Sequence, residues 1–334
     1  PGFLEVGRDN RSGAFGRRFS GKITGFRREP LVAVPTDAFS GGDIELDLDL
    51  PAAVVPQSQP LVVAGQPGSA ELVGYRTIDE GHFVLSYEKW GSGLWESDPI
   101  AVPASRTAHF RIRLGSLLPK AAWMEARHIN DRLVVWMDGL PVWWREIYGG
   151  IGDNPNVDIL ANAVGSSAMR QAFQGNLVAA RKRPIPYPGP GPFEELQVDL
   201  IGRGTGVEPL AVTGVPGKAD LLAIEWLPRG RARFILDHWA YPATRSQEFD
   251  WDGTHVHHIA VRLPSFAALG RGISGPQSGP VSAEVDGKSV WSTEARFYPA
   301  AADSFAFGEN SVGSSVALQS LSCVLCDLEK IRKK

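Results

Sequence analysis

The feature that most constrains this chain is an internal repeat. Pro60-Leu61-x-Val63-x-Gly65-x-Pro67-Gly68-x-Ala70-x-Leu72 recurs as Pro209-Leu210-x-Val212-x-Gly214-x-Pro216-Gly217-x-Ala219-x-Leu221, at a constant offset of 149. His109 with Arg113-Leu114-x-Ser116 matches His258 with Arg262-Leu263-x-Ser265 at the same offset. Asp138-Gly139-x-x-Val142-Trp143 then matches Asp286-Gly287-x-x-Val290-Trp291, and Asn162-x-Val164-Gly165-Ser166-Ser167 matches Asn310-x-Val312-Gly313-Ser314-Ser315, both at 148. Preserved order with one slipped residue implies two homologous domains, so any acceptable fold must be buildable twice. The length of 334 residues agrees with about two domains.

Inside each copy the local patterns are those of strands. Ile44-Glu-Leu46-Asp-Leu48-Asp-Leu50 and Leu196-Gln-Val198-Asp-Leu200 alternate with period two, as do Phe110-Arg-Ile112-Arg-Leu114 and Ile259-Ala-Val261-Arg-Leu263. Leu133–Trp143 and Val281–Trp291 each read as two strands around an Asp-Gly turn. Only Ser116–Lys120 and Ser265–Leu269 offer a short helical turn. With 37 Gly, 25 Pro, 43% hydrophobic and 21% charged residues, a disordered chain and a heptad-rich helical protein are excluded. The expectation is an all-β protein with domains at 31–183 and 193–330, joined by the Pro/Gly stretch 184–192 as a semi-rigid linker.

Residues 1–30 do not fit either copy. Gly7-x-Asp9-Asn10-x-x-Gly13 followed by Phe19-Ser-Gly21-Lys-Ile23 matches Asn162-x-x-Gly165 followed by Phe173-Gln-Gly175-Asn-Leu177, which is the end of a copy. This terminal β-hairpin is expected to complete a preceding domain or to dock on the first full one, since an isolated hairpin is marginal in water.

The hairpin V-x-V-D-G-x-x-V-W, the strand ending in N-x-x-G-S-S and the closing F-x-G-x-L/I strand together resemble the laminin G-like branch of the concanavalin A-like lectin/glucanase superfamily. The residues that carry the resemblance are Val135–Trp143, Asn162–Ser167 and Phe173–Leu177, with Val285–Trp291, Asn310–Ser315 and Leu321–Leu325. It implies two tandem concanavalin A-like jelly-roll β-sandwiches acting outside the cytoplasm, periplasmic or extracellular, as binders of glycans or proteins; some members hydrolyse polysaccharides. The second copy has Leu321 and Cys323 where the closing pattern has Phe and Gly, so its last strand is expected to pack differently.

A net charge of −3 and the absence of a basic block beyond Arg181-Lys182-Arg183 and the C-terminal Arg332-Lys333-Lys334 leave no nucleic-acid footprint. No apolar run approaches the ~18 residues of a membrane span, which leaves association with a membrane-bound complex open. The two cysteines, Cys323 and Cys326, cannot form a disulfide framework; within a strand-like stretch they read as a buried pair, with C-x-x-C redox chemistry as the alternative.

Four places could carry chemistry. Asp43, Glu45, Asp47 and Asp49 alternate on one strand face, and Glu45-Leu-Asp47-Leu-Asp49 approaches the E-x-D-x-E strand of glucanases in this superfamily; a solvated face is the plainer reading. Asp153, Asn154, Asn156 and Asp158 gather four oxygen-bearing side chains in six residues, which suits calcium or a plain Asx-rich turn. His255, His257 and His258 form a histidine cluster with no evident third zinc ligand, since His258 matches His109 in the other copy. Finally, of ten tryptophans, Trp143 and Trp291 are repeat-equivalent and read as core. Trp90, Trp95, Trp144, Trp239 with Tyr241, and Trp251 lie outside the matched motifs quoted above and are better placed for stacking on a sugar or meeting a partner.

The chain is therefore expected to be a non-catalytic binding or scaffolding protein, a subunit of a larger assembly. A lectin-like carbohydrate binder and a glycoside hydrolase using Glu45 with Asp47 or Asp49 are the alternatives. No Gly-rich phosphate loop, G-x-S-x-G elbow or H-E-x-x-H helix is present, and no cofactor other than calcium is suggested.

Overall fold

The computed structural model describes residues 41–90, 93–118, 132–147, 156–165, 167–184, 191–271, 275–313 and 315–332. The expectations for residues 1–30 and for most of the 184–192 linker fall outside them. By internal contacts the chain divides into two compact units, Pro1–Pro119 with Leu133–Ile185 and Lys120–Arg132 with Pro186–Lys334.

The first sandwich is built from β1 (Gly42–Asp49), β2 (Gln59–Gln66), β3 (Ser69–Thr77), β4 (His82–Lys89), β5 (Leu94–Glu96), β6 (Ile100–Ala101), β7 (Thr107–Leu114), β8 (Arg132–Met137), β9 (Leu140–Glu146), β10 (Val157–Ile159) and β11 (Asn176–Pro184). One sheet runs β11-β1-β7-β8-β9 and the other β10-β2-β3-β4-β5, with β6 also on β4.

The second contains β12 (Glu195–Ile201), β13 (Val207–Val215), β14 (Lys218–Leu227), β15 (Arg231–His238), β16 (Thr244–Arg245), β17 (Phe249–Asp250), β18 (His257–Arg262), β19 (Gln277–Val285), β20 (Lys288–Phe297), β21 (Phe305–Phe307) and β22 (Val324–Ile331). Its sheets run β22-β12-β18-β19-β20 and β21-β13-β14-β15-β16, with β17 also on β15, so the strand order matches that of the first unit. Helix is confined to a 3-10 turn at Gly115–Leu117 and one α-turn at Pro264–Ala267 among the described residues.

Period-two alternation sets the faces. Ile44, Leu46 and Leu48 of β1 and Phe110, Ile112 and Leu114 of β7 point into a core that Tyr75, Phe83 and Leu85 fill from the opposite sheet. Tyr75 stacks on Phe83 at 4.8 Å and meets the edge of Phe173 at 5.8 Å. In the second unit an aromatic cluster forms at other positions, from Phe193, Phe266 and Phe305, with centroids 4.6 to 5.8 Å apart. The Asp-Gly turns form as the sequence requires: Asp138 and Asp286 both sit at φ 52°, followed by Gly139 at 84° and Gly287 at 73°.

Irregularities are copied with the strands. A bulge lies between Pro60 and Val62 on β2 and between Pro209 and Ala211 on β13. Another lies between Asp47 and Leu48 where β1 meets β11, and between Asp199 and Leu200 where β12 meets β22. The closing strand of the second unit thus pairs as its counterpart does, but it packs with different side chains: a Cβ at Gly175 would meet the Phe173 ring, whereas Leu321 and Cys323 at the matching positions are both fully buried. The start of that strand is pinned by an equivalent side chain in each unit: Gln59 accepts the Gln174 backbone N–H at 2.6 Å, and Glu208 accepts that of Ser322 at 3.0 Å.

Candidate functional site

The acidic row of β1 lies on the outer face of its sheet and is largely neutralised by neighbouring strands. Asp43, expected on a solvated face, is instead buried: the Arg113 guanidinium grips it at 2.8 and 3.0 Å, and Arg111 lies 3.7 Å away. Trp136 of β8 explains this, since its buried ring carries Arg111 at 3.7 Å and Arg113 at 5.2 Å. Glu45 faces Arg181 at 3.5 Å and Arg183 at 3.9 Å. Asp47 bonds Arg181 at 2.9 Å and lies 2.6 Å from His109 Nδ1, and the hydrogen bond from His109 holds its carboxyl below the usual range. The carboxylate oxygens of Glu45 and Asp47 are thus engaged by arginine and histidine side chains of neighbouring strands.

A groove of about 280 Å³ opens beside this row, lined by Asp47, Leu48, Thr107, Ala108, His109, Asp138 and Val178. Asp138 Oδ1 accepts the His109 backbone N–H at 3.0 Å. The second unit repeats the arrangement: His258 Nδ1 is 2.7 Å from Asp199, and its backbone N–H reaches Asp286 at 2.9 Å. The repetition marks a device that fixes β1 and β12 to their neighbours. The other two histidines of the 255–258 cluster are also engaged by acids, His257 by Asp286 at 2.7 Å and His255 by Asp252 at 2.6 Å. Among the described residues no group of three or more His, Cys, Asp or Glu is arranged to hold a metal ion.

Of the proposed calcium ligands, Asp153 and Asn154 lie outside the described residues. Asn156 gives its backbone carbonyl to Gly65 N–H at 2.8 Å, and Asp158 sits in β10 opposite Val63, its carboxyl pushed up by burial. Cys323 and Cys326 are buried and form no disulfide, and burial pushes the Cys323 thiol well above its ordinary range.

The tryptophans divide by environment. Trp90 packs on a small cluster of Val63, Ala70, Leu72, Val164 and Met169, where the Asn162–Met169 loop folds over the outer face of the second sheet. Asn162 shapes that loop by donating to Ser167 Oγ at 2.8 Å and accepting from Gly165 N–H at 3.1 Å. Trp239 packs in the same way over Val212, Leu221 and Ile235, while Trp251 is buried against Trp226 at 5.2 Å. Trp143 packs on the core, so its neighbour Trp144 faces out, 40% exposed.

Trp95 is different. It lies in β5, the last strand of its sheet, and is 37% exposed. Its ring is backed by buried Tyr87 at 5.9 Å, and Arg145 from β9, the last strand of the other sheet, lies 4.3 Å from its centroid. Tyr87 is itself fixed by its hydroxyl, which donates to buried Glu71 at 2.9 Å; Ser116 holds the other oxygen of that carboxylate. Burial raises the pKa of Glu71 and, more strongly with the nearby Glu71 charge, that of Tyr87. The result is an indole held in place from behind and open in front.

Two facing antiparallel sheets whose first and last strands are neighbours, closed by the looped N-x-x-G-S-S segment, define the architecture. Both units are antiparallel β-sandwiches with the same strand order. No family model and no curated protein matches the chain. Among solved structures, domains LG4-5 of the mouse laminin α1 chain align over 93% of this chain and 94% of that one, at 9% identity and a TM-score of 0.28. The LG1-3 region of the laminin α2 chain aligns over 88% of this chain and 57% of that one, at 10% identity and 0.26. The binding domain of Paraclostridial Mosquitocidal Protein 1 aligns over 73% and 60%, at 10% identity and 0.24. Similarity at this level carries no functional argument.

Proposed function

We propose that this chain is a non-catalytic binding protein whose first unit holds a saccharide against Trp95. The observation that carries the reading is the half-exposed indole fixed between Tyr87 and Arg145 at a sheet edge. A flat ring whose position is already set stacks on the C–H face of a pyranose with little loss of side-chain freedom. The engagement of Glu45 and Asp47 by Arg181, Arg183 and His109 supports a binding role over hydrolysis. The extracytoplasmic setting implied by the laminin G-like resemblance belongs to the same proposal, and fractionation of the source cells tests it.

A saccharide panel screened with the wild type and Trp95→Ala is the direct test. Binding that Trp95→Ala weakens at least about tenfold, the equivalent of ~1.4 kcal/mol, is expected. Binding indifferent to that substitution would remove the platform. A protein contact on β9, where Leu140 is 67% exposed and Trp144 is 40% exposed, is the second reading and fits a subunit of a larger assembly. Co-purification from the source with wild type and Trp144→Ser separates it from the first. The saccharide reading needs no calcium, and chelation with EDTA is expected to leave binding unchanged.

A further inference from the structure

The Arg145–Trp95 contact has a counterpart in the second unit. Arg296, on the terminal strand β20, lies 4.6 Å from the ring centroid of Tyr241, which precedes the terminal strand β16 of the other sheet. The residues are not repeat copies: the offset of 149 takes Trp95 to Thr244, and 148 takes Arg145 to Thr293. Each unit therefore reaches the same arrangement from different positions, a guanidinium of one sheet's last strand on an aromatic ring at the edge of the other.

These two arginines share a second property. Arg76, Arg113, Arg181, Arg233 and Arg262 each lie within 3.0 Å of a carboxylate oxygen. Among the described residues no carboxylate lies within ion-pair distance of Arg145 or Arg296, and Arg145 donates a long hydrogen bond, 3.4 Å, to the Glu146 carbonyl. Partial burial disfavours the charged form of Arg145. Arg145, partly drawn from water, gains more from an arriving anion than Arg296, which is exposed. Stacking occupies the flat face of a guanidinium and leaves its edge N–H groups for a bidentate acceptor such as carboxylate or sulfate.

We propose that the chain carries two sites for an acidic saccharide, one in each unit: Trp95 with Arg145, and Tyr241 with Arg296. In each, the ring stacks on the sugar while the guanidinium takes its carboxylate or sulfate group. The proposal rests on the reading of Trp95 as a saccharide platform and adds to it a second site and a charge requirement.

The test is calorimetric titration of the full chain with a short oligogalacturonate, a short sulfated glycosaminoglycan oligosaccharide and a neutral galacto-oligosaccharide of the same length. Two sites per chain are expected for at least one acidic ligand, with affinity at least about tenfold above the neutral one, since charge-assisted hydrogen bonds are stronger than neutral ones. Arg145→Gln and Arg296→Gln are each expected to remove one site and the double variant both, with circular dichroism checking the fold. Affinity should fall between low and high salt. Equal affinity for neutral and acidic ligands, with Trp95→Ala still disruptive, would overturn the charge requirement and leave the platform standing. A single site untouched by Arg296→Gln would overturn the second site. If no saccharide of any kind binds, both readings fail.

Discussion

The ion pair beneath Trp136 gives the most exacting stability test. In Asp43→Ala the Arg113 guanidinium loses two hydrogen bonds, at 2.8 and 3.0 Å, while its side chain is 4% exposed and that of Asp43 1%. Hydrogen bonds to charged groups contribute roughly 1.5–3 kcal/mol each, and removing one member of a buried pair typically costs about 3–5 kcal/mol. Loss of the weaker Arg111 contact, 3.7 Å from the same carboxylate, acts in the same direction. The expected destabilisation of the first unit is therefore about 3 kcal/mol or more. With a urea slope near 2 kcal/mol per molar, the midpoint should fall by roughly 1.5 M. Urea unfolding followed by Trp fluorescence reads this directly, with Asp47→Ala as the exposed comparison at about 1 kcal/mol or less. An Asp43→Ala shift no larger than that of Asp47→Ala would refute the claim that burial, and not charge pairing itself, makes this contact strong.

Further outcomes follow from the same geometry. Gly65 sits at φ 115° with the space of a Cβ taken by the Ser69 carbonyl, whereas Gly68 at φ 90° has open space around it. Gly65→Ala should lower the melting temperature of the first unit well beyond Gly68→Ala, and Gly214→Ala, which meets Lys218 in the same way, should do so for the second. The folded pKa of Asp47 is depressed, so its stabilisation is present above the ordinary carboxylate value and lost as pH falls through the folded one. Thermal melts between pH 5 and 2 should show a decline that Asp47→Asn flattens. Cys323, buried with a raised thiol pKa, should react with a thiol reagent only after unfolding.

Strand periodicity and turn chemistry were legible because they are local. The Asp-Gly dipeptides at 138–139 and 286–287 demand positive φ, and the chain supplies it at those residues. The strand faces of β1 followed from alternation, but burial along one face did not: Asp43 and Asp47 point the same way, and Arg111, Arg113 and Trp136, about 70 or more residues away in sequence, lie about the first. The tryptophans were ambiguous for the same reason. Trp90 and Trp95 are five residues apart, yet one is covered by the loop after Asn162 while the other meets Arg145 across the sandwich edge. Neither contact has a sequence signature. The second aromatic–arginine pair was hidden further because it does not follow the repeat offset.

The pairing of first with last strands has a consequence for synthesis. Gly42 lies opposite Pro184 on β1 and β11, and Glu195 opposite Ile331 on β12 and β22. Neither sheet can be completed until the ribosome has delivered the final strand, so each unit should be slow to close and briefly expose the free edge of its opening strand. Once closed, the opening and final strands of each sandwich lie side by side, so the bonds formed last hold the segments made furthest apart in time.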